Sequence, residues 1–556
     1  MDNQSKHDEL SGVYNRRRFI QMMSTVTTGS VLLAACGGSD NQPLTKTTHV
    51  NTLSQKDARA TLDASVGKTY FPSDDPNVLD AYTAPPPLIQ SVQYVPGHGG
   101  KVTAFTISFH PAPTPYGQNK YWRELNKRLN VDWQVMLGPS DTYPEKATAL
   151  LASGDVPDIF YVGLDGAPAL ITPVKQGAFT DLTPYLSESA RKQFPNLAKI
   201  GPDAWKNSSR FGKIFGVPRP RSTAGEVLCI RRDWMQKVGI TDPKNLDEFF
   251  KMAQEIQKAK PDGQQTWAFG SISPTRDFFY QMYRLPNKWG MQNGKLTYYI
   301  EMPQFKDAIA TVKRFWDAGL FHPDSFTATQ AQNKSDHASG KFAAYVDGFT
   351  ALSGQRANAK KINPKADVVI LPPFGYDGGA AVHWKGGGYY GVASIPIQKG
   401  GDSGRVKELL RILDYLCAPT FSVEGQFLAL GIDGWDNEKG PNGLKKVSDR
   451  GQNEIQDMAY IANAPQVLYY PDEPPLGPAL QNTQRQLLKM GIDDPTTNLV
   501  SETARLQSAK LSQIDSDHFL RIIKGDEPVS AGVDQWIKDR QQSGGDKVRQ
   551  EFTQQL

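Results

Sequence analysis

Cysteine is nearly absent from this 556-residue chain: Cys36, Cys229 and Cys417 are the whole supply, which excludes a disulfide framework and multi-cysteine zinc or redox motifs. Histidine is also sparse. The eight histidines are scattered without ligand spacing, and neither HExxH nor GxSxG occurs, so metalloprotease and serine-hydrolase chemistry find no support. His98, His110, His322, His337 and His383 read as surface or turn residues. Charge of one sign is lacking too, with a net charge of +4, and nothing in the balance argues for nucleic acid. No apolar run approaches the roughly twenty residues that a spanning helix needs. No internal repeat is visible. The triple glycine Gly386–Gly388 lacks the GK[ST] and the following helix of a phosphate loop.

What is present begins with an address. Asn15 to Gln21, with Arg16, Arg17, Phe19 and Ile20, resembles a twin-arginine export signal. The apolar stretch Met22–Ala35 is too short to span a bilayer, which takes about twenty residues. Leu33, Ala34, Ala35 and Cys36 resemble a lipobox, so residues 1–35 read as a cleaved leader and Cys36 as the lipidated residue of the mature chain. Gly37 is not the Asp that favours retention on an inner membrane, which leans the reading toward a cell with a single membrane. Cys229 (VLCIRR) and Cys417 (LDYLCAP) sit in apolar contexts that suit buried free thiols, and an exported chain leaves an oxidised pair open as the alternative.

With 39% hydrophobic and 10% aromatic residues, the mature chain can fill more than one core, because a single core stops growing at about 250–300 residues. Residues 36–100 are rich in Ser, Thr, Asp, Pro and Gly, include TAPPPL at Thr83–Leu88, and read as a flexible tether. Folded structure is expected from Lys101. KVTAFTISF alternates, placing Phe105, Ile107 and Phe109 on one strand face, and Tyr121, Leu125 and Leu129 follow at helical spacing. Val131–Leu137 reads as a second strand, Ala147, Leu150 and Leu151 mark a second helix ended by Gly154, and Ile159–Val162 reads as a third strand. Strand, helix, strand, helix, strand with short turns is the grammar of a parallel sheet covered by helices. Later helical stripes pass through Leu246, Phe249, Phe250, Ala253 and Ile256, then Phe305, Ile309, Val312 and Trp316, then Val406, Leu409, Leu410 and Leu413; Asn245 with Glu248 offers a capping-box variant.

Several segments together resemble the extracellular solute-binding lipoproteins of ABC sugar importers, in the larger oligosaccharide-binding branch. They are GDVPDIFYVG (Gly154–Gly163), GKIFGVPRPRSTAGEVLCIRRDWMQKVGI (Gly212–Ile240) with NLDEFF after it, GKLTYYIEMPQFKDAIATVKRFWDAGLFHPD, LDYLCAPTFSVEGQFLALGIDGW and SGGDKVRQEF. The resemblance implies an α/β, two-lobed periplasmic-binding-protein-like fold of type II, with the ligand cleft between the lobes. Lobe 1 is then assigned to residues 101–218 and 390–465, and lobe 2 to residues 219–389 and 466–556. It further implies a sugar or oligosaccharide ligand, permease subunits of an ABC transporter as partners, attachment to the membrane through the N-terminal lipid, a monomer, no cofactor, no nucleic acid and no catalysis. Close relatives carry a calcium-loop-like insert where this chain has KAKPDGQQTWAFG (Lys258–Gly270), in which Asp262 is the sole carboxylate; since calcium takes about six to eight oxygens, no calcium is expected there.

Sugar recognition needs aromatic faces and planar polar groups on loops at strand ends. Tyr116, Gln118 and Asn119 lie in the proline-stiffened loop His110–Asn119, where the alternative is a rigid surface turn. Tyr161 and Asp165 follow the third strand. Arg219 and Arg221, in VPRPR at the lobe crossing, are either cleft residues or part of a solvated hinge; in the cleft they favour acidic or sulfated glycans, because guanidinium matches carboxylate geometry with two parallel donors. Arg276, Asp347 and Phe349 are candidates from the second lobe, with Phe349 equally suited to the core. Trp384, in AVHWKGGGYYG, is the foremost stacking candidate, and Trp435, in GIDGWDN, is the next, with a plug at a lobe boundary as its alternative. The competing functions are a surface glycan-sensing or glycan-capture lipoprotein and a secreted glycan-degrading enzyme. Hydrolysis needs facing carboxylates about 5–9.5 Å apart, whereas local capping explains the sequence pairs Asp155/Asp158 and Asp247/Glu248.

Overall fold

The computed structural model describes residues 69–140, 142–163, 172–440 and 445–556. Strands of near-continuous apolar sequence must be covered on both faces. The two main sheets are built from β1 (Lys101–Ser108), β2 (Asp132–Pro139), β3 (Ile159–Val162), β4 (Val217–Pro220), β5 (Glu226–Arg231), β6 (Trp267–Phe269), β7 (Phe342–Gly348), β8 (Val368–Leu371) and β9 (Tyr389–Ser394). One sheet has the order β2-β1-β3-β9-β4, the other β8-β5-β7-β6. In the first, β1 pairs in parallel with β2 and β3, and β9 runs antiparallel between β3 and β4. In the second, β7 is parallel to β6 and antiparallel to β5.

Each sheet carries its own core, so the fold is two-lobed and α/β. Phe105, Tyr121, Trp133, Phe160 and Leu409 are buried together around the first sheet. Trp234, Phe249, Phe279, Phe315 and Trp536 fill the core beside the second. The helix Leu246–Ala259 forms where its apolar stripe meets that core, and its start is set by Asn245, whose side chain accepts from the Glu248 N–H at 2.9 Å. Cys229 and Cys417 are free, buried in different cores, and burial pushes both thiols up.

Three expectations change. The tether does not run to residue 100: from Tyr70 onward the chain is strapped across both lobes. Ala81–Tyr82 pairs with Leu468–Tyr469, Gln481 donates to Phe71 O and Leu79 O, and Gln484 donates to Asn77 O. Further on, Ser91 donates to Glu424 and Tyr94 to Asp414, at 3.0 and 2.5 Å, in the first lobe. A Pro- and Ser-rich composition suits a strap as well as a tether, and partners more than 300 residues away decide between them. Phe109 leaves the face of Phe105 and Ile107 and is 46% exposed, because β1 ends at Ser108. His337 and His383 are core residues, each 1% exposed.

The lobes join where Arg221–Gly225 passes Lys385–Gly388. A Cβ on Gly225, whose φ is +61°, would stand 2.8 Å from Gly386 N, and a Cβ on Gly386 would stand 2.9 Å from Gly225 Cα. Only glycine allows two main chains this close. The crossing is tied by Arg221 N–H to Gly388 O (2.8 Å) and Gly386 N–H to Thr223 O (3.0 Å). Gly386→Ala is expected to push the two chains apart and lower the unfolding free energy by about 1–3 kcal/mol, read from the midpoint of denaturant unfolding.

Burial, helped by the nearby Arg231 charge, pushes His337 down to about 4. Unfolded, the same ring takes a proton near its ordinary value of about 6.5. The unfolded chain therefore binds more protons between those values, and the stability that neutral His337 contributes is full above about pH 6.5 and lost as the pH falls toward 4. The melting temperature is expected to drop over that window, and to drop less in His337→Gln.

Candidate functional site

At the crossing lies a cavity of 410 Å³ whose wall includes Arg221, Glu226, Arg276, Asp277, Tyr299 and Trp384. Position follows from topology: Arg221 leaves β4, Glu226 opens β5, and Trp384 precedes the glycine run into β9. The helix Ile272–Met282 supplies Arg276 and Asp277, because its apolar face (Ile272, Phe278, Phe279, Met282) is buried and turns these two toward the opening. A wider depression of 490 Å³ on the C-terminal helices is lined by Lys295, Gln541 and Arg549, but Arg549 is already paired with Glu301 and Asp546.

One wall is aromatic. Trp384 is half-buried, with its ring 6.3 Å from Tyr280 and 6.1 Å from Tyr299, and its Nε1 donates to Leu285 O at 2.8 Å. Tyr298 also lines the cavity, and burial pushes its hydroxyl up to about 12. Beside the cavity stands a ledge of stacked pairs. The Arg219 guanidinium lies 3.9 Å from the Tyr460 ring centroid, and that of Arg221 lies 4.6 Å from Tyr390. Phe109 packs at 5.5 Å from Tyr460 and 6.4 Å from Tyr390. Arg219 Nε donates to Tyr460 O at 3.1 Å, and neither arginine has a salt-bridge partner among the described residues. Stacking holds each cation by its face and leaves donors on its edge.

The acidic groups of the cavity are held partly in check. Asp277 keeps 39% of its side-chain surface accessible, yet it lies deep enough in the concave wall that desolvation, with Glu226 adding to it and Arg276 and Lys288 opposing, pushes its carboxyl up to about 6. Glu226 is likewise pushed up, by desolvation and then by Asp347, against the pull of Arg221. Lys385 spans the lobes, 3.4 Å from Asp203 and 2.9 Å from Asp493.

Of the residues singled out from sequence, Arg221, Arg276 and Trp384 stand in the cavity wall and Arg219 on the ledge beside it. Tyr161 is fully buried beneath the ledge; its hydroxyl donates to Tyr390 O and its ring meets Tyr460 edge-on at 6.0 Å. Asp347 is turned inward, accepting from Gln355 at 3.0 Å and pairing with Lys334 at 3.3 Å, and reaches the cavity only through its charge on Glu226. Tyr116 and Gln118 form a short 3-10 turn outside the wall, with Tyr116 edge-on to Trp122. Trp435 is also outside it, its ring covered by Lys120 at 3.2 Å and Arg450 at 4.0 Å, its indole donating to Glu454. Phe349 lines the cavity while being 1% exposed. Asp165 and Cys36 lie outside the described residues. Sequence reasoning missed Glu226, Asp277 and Tyr460. Asp277 adjoins Arg276, already noticed, and Glu226 falls within the segment Gly212–Ile240, but Tyr460 sits in DMAYIANAP, where no periodicity marks it.

In the stretch Lys258–Gly270, both oxygens of Asp262 are engaged: Oδ2 accepts from Arg231 and Oδ1 from the Trp234 indole, each at 3.2 Å. Among the described residues no cluster of three or more His, Cys, Asp or Glu side chains could hold a metal ion, and no helix is long and apolar enough to cross a membrane.

The sequence profile of the family described as bacterial extracellular solute-binding protein matches residues 120–420. The chain is similar to the polygalacturonan/rhamnogalacturonan-binding protein YtcQ of Bacillus subtilis, 22% identical over 464 residues that cover 81% of this chain and 90% of that one. It is also similar to the lipoprotein LipO of Bacillus subtilis, 25% identical over 460 residues covering 79% and 89%. A solved structure described as an HMO-binding, ABC-transporter-associated solute-binding protein from Bifidobacterium longum infantis has a TM-score of 0.60 at 16% identity, covering 82% of this chain and 98% of that one, which establishes a shared fold.

Trp384→Ala removes a half-buried ring and leaves Leu285 O without its donor. It is expected to lower stability by about 2–4 kcal/mol in denaturant unfolding, with Trp384→Phe recovering much of the loss.

Proposed function

This chain belongs to the bacterial extracellular solute-binding proteins, and from that premise we propose that it captures an acidic oligosaccharide outside the cell and delivers it to the permease subunits of an ABC importer. The observation that carries the acidic part is the ledge: two guanidiniums stacked on tyrosines beside the cavity, with no carboxylate bound to either among the described residues. Arg221 is exposed and Arg219 half-buried, so water solvates both until a ligand covers them; covering them is costly unless the ligand brings an anion, and a carboxylate or sulfate accepts the two parallel donors that each offers. The aromatic wall of Tyr298, Tyr299 and Trp384 suits the C–H face of a pyranose. YtcQ, by its name, binds polygalacturonan and rhamnogalacturonan, both of which contain uronic acid, and this agrees with the same chemistry.

In this reading the twin-arginine leader exports the folded chain, a lipid on Cys36 holds it at the membrane as a monomer, and closure of the lobes traps the sugar until it docks on the permease. The ligand contacts fall to Arg219, Arg221, Arg276 and Trp384. A second reading, a glycan-cleaving enzyme, has one observation in its favour: Glu226 and Asp277 share the cavity wall, and Glu226 helps to raise the Asp277 carboxyl.

A thermal-shift screen across neutral, uronic and sulfated oligosaccharides tests the proposal. Uronic or sulfated glycans are expected to raise the melting temperature by several degrees, neutral ones to have little effect, and no new reducing ends to be released on incubation. Arg221→Met is expected to weaken the best ligand by about 1.5–3 kcal/mol, the range for a charged hydrogen bond. A response to peptides and to no glycan overturns the sugar reading, and release of reducing ends overturns the transport one.

A further inference from the structure

One arginine of the cavity keeps its donors unspent. Arg276 rests its guanidinium 4.4 Å from the Phe519 ring centroid, and its buried Nε has no hydrogen-bond partner. Asp277, the next residue, holds Oδ1 at 3.7 Å from that Nε, too far for a hydrogen bond. Other arginines with carboxylate partners are held closer: Arg231, Arg356 and Arg540 meet theirs at 2.7, 2.6 and 2.5 Å. The loose pair Arg276–Asp277 therefore faces the cavity as a cation with vacant donors and an anion with an incomplete claim on it.

Resting on the reading that the ligand is an acidic glycan, we propose that a ligand carboxylate displaces Asp277 from Arg276 and that the released Asp277 carboxyl takes one proton from solvent. Arg276 then selects an acidic ring over a neutral one, and binding is coupled to proton uptake. The only covalent change is the O–H bond formed on Asp277; its proton comes from the buffer. The reason is electrostatic. Two carboxylates crowded onto one guanidinium in a half-dry wall cannot both stay ionised without cost, and a uronate, ionised above about pH 5, is the stronger acid.

The groups that face Asp277 pull in opposite directions, and desolvation outweighs them. Arg276 shares its helix, Glu226 at the head of β5 repels it, and Lys288 attracts it; Asp347 on β7 repels Glu226 in turn. Burial already pushes Asp277 up to about 6 before any ligand arrives. An incoming anion moves it further up. Affinity for an acidic glycan should then rise as the pH falls from about 8 to 6, by up to tenfold per unit, and level off below.

The test is calorimetric titration of the full-length protein with trigalacturonic acid and with its methyl ester, in buffers of different ionisation enthalpy. The wild type is expected to prefer the acid by about tenfold or more and to take up close to one proton near pH 7. Asp277→Asn should keep that preference but lose proton uptake and pH dependence, and Arg276→Gln should reduce the preference, the remainder being held by Arg219 and Arg221. Binding that is independent of pH in the wild type, proton uptake that survives Asp277→Asn, or an acid preference unchanged in Arg276→Gln overturns this inference and leaves the acidic reading standing. A methyl ester that binds as tightly as the acid, or no binding of either, overturns both. Asp277→Asn keeps the question answerable if Arg276→Gln does not fold, because the contact it removes is the loose 3.7 Å approach of the Asp277 carboxylate to Arg276.

Discussion

Two main chains pass within van der Waals contact at Gly225 and Gly386, and the rest of the molecule is arranged around that approach. Because neither residue has a Cβ, the strand leaving one lobe and the segment re-entering it share hydrogen bonds instead of side-chain packing. The cavity opens at this place for the same reason. Where two backbones touch, the side chains immediately before and after them, Arg221, Glu226, Trp384 and Lys385, are pushed outward into a common wall. A bulkier crossing would separate the lobes and disperse those groups.

A second constraint comes from the segment Tyr70–Tyr94, which lies on lobe 2 through Gln481 and Gln484 and on lobe 1 through Glu424 and Asp414. It adds another covalent passage between the lobes, so their relative movement is limited to what this strap and the glycine crossing both permit. Within that limit the charge pattern is asymmetric. On the lobe 1 side, cations are stacked on tyrosines and make no salt bridge among the described residues, Arg221 feeling Glu226 only at a distance; on the lobe 2 side, Arg276, Asp277 and Glu226 compete with one another. A ligand with more than one carboxylate is offered different terms at its two ends.

Much of the frame was legible from residue order. The alternation in Lys101–Ser108 and the stripe Phe249–Ala253–Ile256 became a strand and a helix because burying those faces is the only way to remove their apolar area from water. The site was legible only in part. Arg221, Arg276 and Trp384 stand in the wall as strand-end and loop logic suggests, and Arg219 on the ledge beside it, yet the same logic also picked Tyr161 and Trp435. Both obey the local pattern of a ligand residue, but Tyr161 is the foundation under Tyr390 and Tyr460, and Trp435 is clamped between Lys120 and Arg450. An aromatic residue at a strand end does not announce which neighbours will cover its face.

By itself, then, the sequence determined that the chain carries two cores' worth of apolar residues, α/β alternation and a family resemblance, since each of these is a property of neighbours along the chain. Only the tertiary structure decided that residues 70–100 are a strap and not a tether, that His337 and His383 are buried, and that Asp277 stands loosely beside an unspent Arg276. Those outcomes depend on groups tens to hundreds of residues away, and on desolvation, which has no meaning until the chain has closed around the group.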